Sequence, residues 1–185
     1  NATERVSKAA VAVTANPSRR EIVVATPEPA SGSEVKPNAA MGAARAASKT
    51  YVFDGVFGPD ATQADVYDSA IEPIVAETLE GFNCTVFAYG QTGSGKTYTM
   101  TPIPLRACQS LLSRIPQGVD VWCSYYEIYG GKVFDLLNER NLCPMREDGK
   151  KNVKIVGLRE AQLQSYDHFC KLIDRGASAR STGST

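Results

Sequence analysis

The sequence predicts an α/β fold: a three-layer sandwich with a mostly parallel central sheet, organised around a phosphate-binding loop. Three observations carry that expectation. Gly90-Gln91-Thr92-Gly93-Ser94-Gly95-Lys96-Thr97 has the Gly-x-x-x-x-Gly-Lys-Thr spacing and follows the apolar run Cys84 to Tyr89. Strand-like and helix-like stretches alternate along the chain, the order that lays strands side by side with helices on both faces. Thr62 to Gly81 carries a helical apolar stripe of Tyr67, Ile71, Ile74, Val75, Thr78, Leu79 and Phe82. Asp60 or Thr62 can cap its start, and Gly81 sits at its stop.

The loop carries the chemistry. An apolar strand delivers the chain to a sheet edge, and glycines let backbone N–H groups turn inward around a polyanion. The helix that follows presents its positive N-terminal end to the same charge. Lys96 would pair with the β- and γ-phosphates of a nucleotide, and the Thr97 hydroxyl would be a Mg²⁺ ligand. Gly90, Gln91, Thr92, Gly93, Ser94, Gly95, Lys96 and Thr97 are the candidate nucleotide-binding residues, with Lys96 and Thr97 the candidate catalytic pair. A glycine-rich turn between two core elements is the competing reading, and it does not account for eight matching positions in that context.

The 185 residues are enough for one good core. Twenty Lys and Arg balance twenty Asp and Glu, which argues against a general nucleic-acid binder. A local basic patch could still serve an acidic partner such as a filament surface. Cys84, Cys108, Cys123, Cys143 and Cys170 lie far apart, with His168 the one histidine. Cys84, Cys123 and Cys170 sit in apolar patterns and are expected to be reduced core residues, not metal ligands or disulfide partners. Neither a membrane span nor a signal peptide is predicted, so the expected setting is cytosolic or nuclear.

In chain order, Val11-Ala12-Val13 and Glu21-Ile22-Val23-Val24 flank Asn16-Pro17-Ser18-Arg19 and predict a hairpin with a Pro-started turn. Ala25 to Ser48, rich in Ala, Pro, Gly and Ser, predicts a surface loop. Thr50 to Asp54 alternates like a strand. Inside the long helix, Pro73 removes the bond to the Ser69 carbonyl and predicts a kink. Val119 to Tyr129 predicts a long strand with Val119, Val121, Cys123 and Tyr125 on one face. Tyr166 to Ala179 predicts a helix with Phe169, Leu172, Ile173 and Ala177 inward. Arg146, Lys150, Lys151 and Lys154 form a basic cluster in a strand–loop region, balanced by Glu147 and Asp148 if the turn is simply solvated.

The wording around the loop is narrower than a generic nucleotide signature. Phe87-Ala88-Tyr89-Gly90-Gln91-Thr92-Gly93-Ser94-Gly95-Lys96-Thr97-Tyr98-Thr99-Met100 closely resembles the phosphate loop of kinesin motor heads. Ser124-Tyr125-Tyr126-Glu127-Ile128-Tyr129-Gly130-Gly131-Lys132-Val133-Phe134-Asp135-Leu136-Leu137-Asn138-Glu139 is a second kinesin-like signature, and the resemblance covers nearly the whole chain. It implies a P-loop NTPase of the kinesin/myosin type, binding Mg-ATP. In the intact motor it implies a microtubule-stimulated ATPase that moves along, slides or remodels microtubules. ATP/ADP and Mg²⁺ are the implied ligands, tubulin the partner, and cytoplasm and cytoskeleton (microtubules or spindle) the location. Tyr98 stands where the family places an adenine-stacking ring; core packing at a helix start is the alternative. The Arg146, Lys150, Lys151 and Lys154 region corresponds to one that can touch acidic tubulin.

The resemblance is to part of a head. Residues 1–185 look like its phosphate-loop half. The first strand with its Arg-x-Arg-Pro motif, both switches and the C-terminal microtubule-binding helices are not in the sequence. Arg175 to Thr185 resembles the run into the first switch. Thr101-Pro102 follows Met100 where kinesins carry a glycine pair and a surface loop. Because the switches position water and stabilise γ-phosphate charge, these residues alone are expected to bind nucleotide without competent hydrolysis. Asp54 to Thr97 resembles the bipolar mitotic kinesins. Gly130-Gly131 and residues 145–158 resemble the internal-motor, depolymerising kinesins, whose Lys-Val-Asp tip the Ala25–Ser48 loop lacks. Oligomerisation would reside in regions outside this sequence. The alternatives are a nucleotide-binding but non-hydrolysing kinesin-like module and an unrelated phosphate-loop NTPase.

Overall fold

The computed structural model describes residues 13–25 and 48–180, which fall into two units. The first holds residues 13–25, 48–73 and 88–99; the second holds residues 74–87 and 100–180. Val11, Ala12, the Ala25–Ser48 loop apart from its two ends, and the run after Arg180 lie outside the described residues.

In the first unit, β1 (Val13–Asn16), β2 (Glu21–Ala25) and β3 (Ser48–Val52) form an antiparallel sheet in that order. The expected turn is made by its own side chains. Asn16 Oδ1 accepts the Arg19 N–H at 3.3 Å and the Ser18 hydroxyl at 2.8 Å, and Pro17 opens a single 3-10 turn.

The long helix forms as α1 (Gln63–Val66), a π turn (Tyr67–Ile71) and α2 (Glu72–Leu79). Of the two candidate caps, Thr62 is the one used. Its Oγ1 accepts the Asp65 N–H at 3.1 Å while Asp65 Oδ2 accepts the Thr62 N–H at 2.7 Å, a reciprocal box. That hydrogen bond from Thr62 holds the Asp65 carboxyl below its ordinary range. The disruption expected from Pro73 takes the form of the π turn just before it. Gly81, at φ 99, ends the helix: the Gly81 N–H reaches the Thr78 carbonyl and the Phe82 N–H reaches the Glu77 carbonyl. Tyr67, Ile71 and Val75 are buried, but Phe82 is 61% exposed because it lies past this stop.

After the loop come α3 (Lys96–Met100) and α4 (Pro102–Arg114). The break has a covalent cause. Pro102 and Pro104 carry no N–H, so the carbonyls of Tyr98 and Met100 have no i+4 donor.

The second unit contains three small antiparallel sheets: β4 (Trp122–Cys123) with β10 (Ala161–Gln162), the meander β5 (Tyr126–Tyr129), β6 (Lys132–Asp135) and β7 (Asn141–Cys143), and the hairpin β8 (Met145–Glu147) with β9 (Val153–Ile155). The single strand expected over 119–129 is thus two, because β4 and β5 pair into different sheets. Its alternation survives the interruption: Val121, Cys123, Tyr125 and Glu127 are more covered than their neighbours, while Val119 is exposed. The helix α5 (Tyr166–Ala179) has the expected span, with Ser165 Oγ accepting the His168 N–H at 3.1 Å. Its buried stripe is Phe169, Leu172 and Gly176, and Ala177 is exposed. Leu137, Ala161 and Leu172 meet in the core, with Tyr125 and Leu163 against them.

Every strand pairing among the described residues is antiparallel. The stretch 84–89, expected as a buried parallel strand, has no regular secondary structure and lies outside these sheets, with Phe87 80% and Tyr89 97% exposed. A buried strand needs ladder neighbours, and none of the described strands pairs with it.

Candidate functional site

The glycine-rich loop lies within the first unit. Gly95 has φ 95, a left-handed conformation that a side chain disfavours, and it leads directly into α3. At Gly90, with φ 157, a Cβ would sit 2.7 Å from Ser94 Oγ and would have to turn that hydroxyl aside. The loop is closed by the Ser94 N–H on the Gln91 carbonyl at 3.2 Å. A closed glycine-rich turn is therefore present over Gly90–Gly95.

Lys96 folds over this turn. Its ammonium donates to the Gly90 carbonyl at 2.6 Å and to the Gln91 carbonyl at 2.7 Å. An ammonium has three protons, so these contacts leave it one more donor. Gln91, Thr92, Gly93, Ser94 and Thr97 are exposed, and Lys96 is half-buried. A cation anchored in a glycine loop, followed in the chain by the exposed residue Thr97, fits a nucleotide phosphate and its Mg²⁺.

Tyr98 is 69% exposed, so its ring is not core packing. Its backbone is tied instead: the Tyr98 carbonyl accepts Gln63 Nε2 at 2.6 Å. In the sequence Gln63 is one polar position in the first turn of a helix, and nothing there points to this bond.

The basic cluster resolves into the β8–β9 hairpin of the second unit. Arg146 and Lys154 stand directly opposite each other in the ladder, and Lys150 and Lys151 lie in the turn, all four exposed. Asp148 builds that turn. Its carboxylate accepts the Lys150 N–H at 2.8 Å and the Asn152 N–H at 2.9 Å, and these bonds, Asn152 first, hold its carboxyl below the usual range. Lys154 Nζ lies 3.9 Å from Asp148 Oδ2. The acidic residue counted as simple charge balance is thus a structural anchor.

The second unit also has an apolar cavity of about 310 Å³ lined by Pro104, Cys108, Leu111, Trp122, Leu163 and Phe169, among others. Cys108 and Cys143 are the buried thiols, whereas Cys84, Cys123 and Cys170 are half-buried.

A family model described as the kinesin motor domain matches residues 5–185. Kinesin-like protein KIN-13A of Oryza sativa subsp. japonica is 48% identical over 141 residues, covering 73% of this chain and 17% of the relative. Kinesin-like protein KIN-5C of Arabidopsis thaliana is 39% identical over 170 residues, covering 74% of this chain and 17% of the relative. Kinesin-like protein KIF24 of Homo sapiens is 40% identical over 146 residues, covering 73% of this chain and 11% of the relative. The chain therefore spans 11% to 17% of the length of these relatives. Both KIN-13 and KIN-5 types are among them, in keeping with the mixed resemblance in the sequence.

Proposed function

The chain belongs to the kinesin motor-domain family, and from that premise we propose that it supplies the nucleotide-holding part of an ATP-dependent microtubule motor. The family has a P-loop NTPase fold. The finer architecture we infer is the three-layer sandwich with a mostly parallel sheet. The apolar segment 84–89, with Phe87 and Tyr89 exposed and no ladder partner among the described strands, is the segment that would enter that sheet.

The observation that carries the nucleotide reading is the Lys96 ammonium held over the glycine loop on two of its own carbonyls. Gly90, Gln91, Thr92, Gly93, Ser94 and Gly95 form the cradle for the phosphates of ATP or ADP. Lys96 supplies the point charge, Thr97 the hydroxyl toward Mg²⁺, and Tyr98 the exposed ring for the base. Mg²⁺, when bound, neutralises charge that develops on the phosphates. In the intact motor this site turns over ATP under stimulation by microtubules.

The β8–β9 hairpin is the surface for tubulin. Arg146, Lys150, Lys151 and Lys154 project four cations from one small element, and an acidic filament is the complementary partner. No helix among the described residues is long and apolar enough to cross a membrane. The cytoplasmic microtubule cytoskeleton is the setting this reading requires.

The deciding experiment is a fluorescent-nucleotide titration of Lys96→Ala in the intact protein. Loss of affinity by roughly 100-fold, about 2.7 kcal/mol, is expected. Wild-type affinity would remove the site assignment.

A further inference from the structure

We propose that Gln63 is a positioning residue for the nucleotide base, acting through the backbone of Tyr98; the inference rests on the nucleotide reading above.

The Tyr98 carbonyl lies in α3, a helix of one turn. In a continuing helix its hydrogen bond would come from the N–H of residue 102, four positions on. Residue 102 is proline and has no N–H to give. Gln63 Nε2 donates to that carbonyl at 2.6 Å, across 35 positions of chain. The side-chain amide takes the place of the missing backbone donor.

Gln63 is itself well held. It is the first residue of α1, directly after the Thr62 cap, and the reciprocal Thr62–Asp65 bonds fix that turn. It is half-buried, whereas the Tyr98 ring is 69% exposed. An exposed ring on a single-turn helix has little packing to hold its Cα–Cβ direction. The Gln63 bond fixes the peptide that carries the ring, and so sets the direction in which the ring meets a base. The phosphate end is held separately, by Lys96 on the Gly90 and Gln91 carbonyls. Loss of Gln63 should therefore weaken recognition of the base and leave recognition of the phosphates intact.

The experiment compares steady-state ATP hydrolysis by the intact protein with its inhibition by inorganic tripolyphosphate, a probe that has phosphates and no base. The variants are Gln63→Leu, Tyr98→Ala and their double. Gln63→Leu is expected to raise KM for ATP about fivefold, with the tripolyphosphate inhibition constant unmoved. Added to Tyr98→Ala, it should cause no further loss, because the two act through one ring. Pro102→Ala, which restores an N–H at the i+4 position, should return the KM of Gln63→Leu toward wild type. Should Gln63→Leu fold poorly, the isosteric Gln63→Glu removes the same donor and must raise KM as well. An unchanged KM, an equal loss of tripolyphosphate affinity, a loss additive with Tyr98→Ala, or no rescue by Pro102→Ala would each overturn the proposal. Lys96→Ala separates the two levels: if it binds ATP normally the nucleotide site itself is wrong. If it does not, and Gln63→Leu is silent, only the role of Gln63 falls.

Discussion

The Asp135 carboxylate accepts the backbone N–H of Arg159 at 2.7 Å, tying the end of β6 to a segment 24 positions later. Its other oxygen accepts the Leu137 N–H at 2.8 Å, and the residue is 0% exposed. Each oxygen thus satisfies a backbone donor, that of Leu137 buried and that of Arg159 half-buried. Asp135→Ala strands the buried Leu137 N–H and releases that of Arg159, and should cost about 2 kcal/mol. Asp135→Asn should recover only part, since its amide nitrogen faces one of the N–H groups. Urea unfolding of the two variants checks this ordering, and equal stability of Asp135→Ala and wild type would refute it.

Gly176 lies buried in α5 against Tyr125. A Cβ there would stand 2.3 Å from Tyr125 Cδ1, a rigid ring atom. Helix propensity favours alanine by about 1 kcal/mol, but overpacking of this kind costs about 1–3 kcal/mol. Gly176→Ala should therefore lower the thermal midpoint. In a Tyr125→Leu background, where the ring is gone, the same change should become neutral or stabilising. A clash that is absent would show as stabilisation in both backgrounds.

Burial, reinforced by Cys123 and Cys170 nearby, pushes the Cys108 thiol from 9.0 up to about 11. The folded state thus keeps a proton that the unfolded chain releases. The resulting stability is complete below pH 9.0 and is lost as pH rises through about 11. Urea midpoints between about pH 8 and 10.5 should fall more steeply for the wild type than for Cys108→Ala. Parallel slopes would place the titration elsewhere. Iodoacetamide should also leave Cys108 unmodified in the folded protein at about pH 8.

Lys150 and Lys151 are held in the β8–β9 turn by backbone bonds to Asp148, directly for Lys150 N–H at 2.8 Å and through the Lys151 N–H on the Asp148 carbonyl at 2.9 Å. Their ammonium groups have no part in those bonds, so reversing both charges leaves the turn intact. The Lys150→Glu, Lys151→Glu variant should co-sediment with microtubules less well than wild type, most clearly at low salt. Its binding should also depend less on ionic strength, because screening over about 8–10 Å then has less attraction to remove. Unchanged co-sedimentation at low salt would return both residues to the solvated surface.

The parts of this molecule legible in the sequence are those whose causes are local. The α5 span followed from its apolar period, and the β1–β2 turn from Asn16 and Pro17. Gly81 ended its helix by a backbone conformation that glycine alone adopts readily. What escaped was set by partners. The break at Ser124-Tyr125 exists because β4 and β5 pair into different sheets, which no periodicity within 119–129 records. Gly176 counted as no apolar residue, so Ala177 was placed on the inner stripe in its stead. The spacing of the glycine-rich loop was legible because its residues are contiguous. Gln63 was not, since its partner carbonyl is 35 positions away and its reason is a proline further still. The strand character of 84–89 was inferred from composition, and ladder partners decide it.

Arg146 and Lys154 face each other across β8 and β9. Like charges in directly opposed positions work against the strand pair that holds them, and the Asp148 carboxylate 3.9 Å from Lys154 offsets only one side of that repulsion. An anionic surface laid on the hairpin would remove the conflict. By thermodynamic linkage, an acidic filament bound to this element would also make it fold more firmly, and whatever loosened the hairpin would weaken that grip by the same free energy. A pairing that looks like a defect in the isolated chain would then be a sensor of attachment, slack when free and taut when engaged.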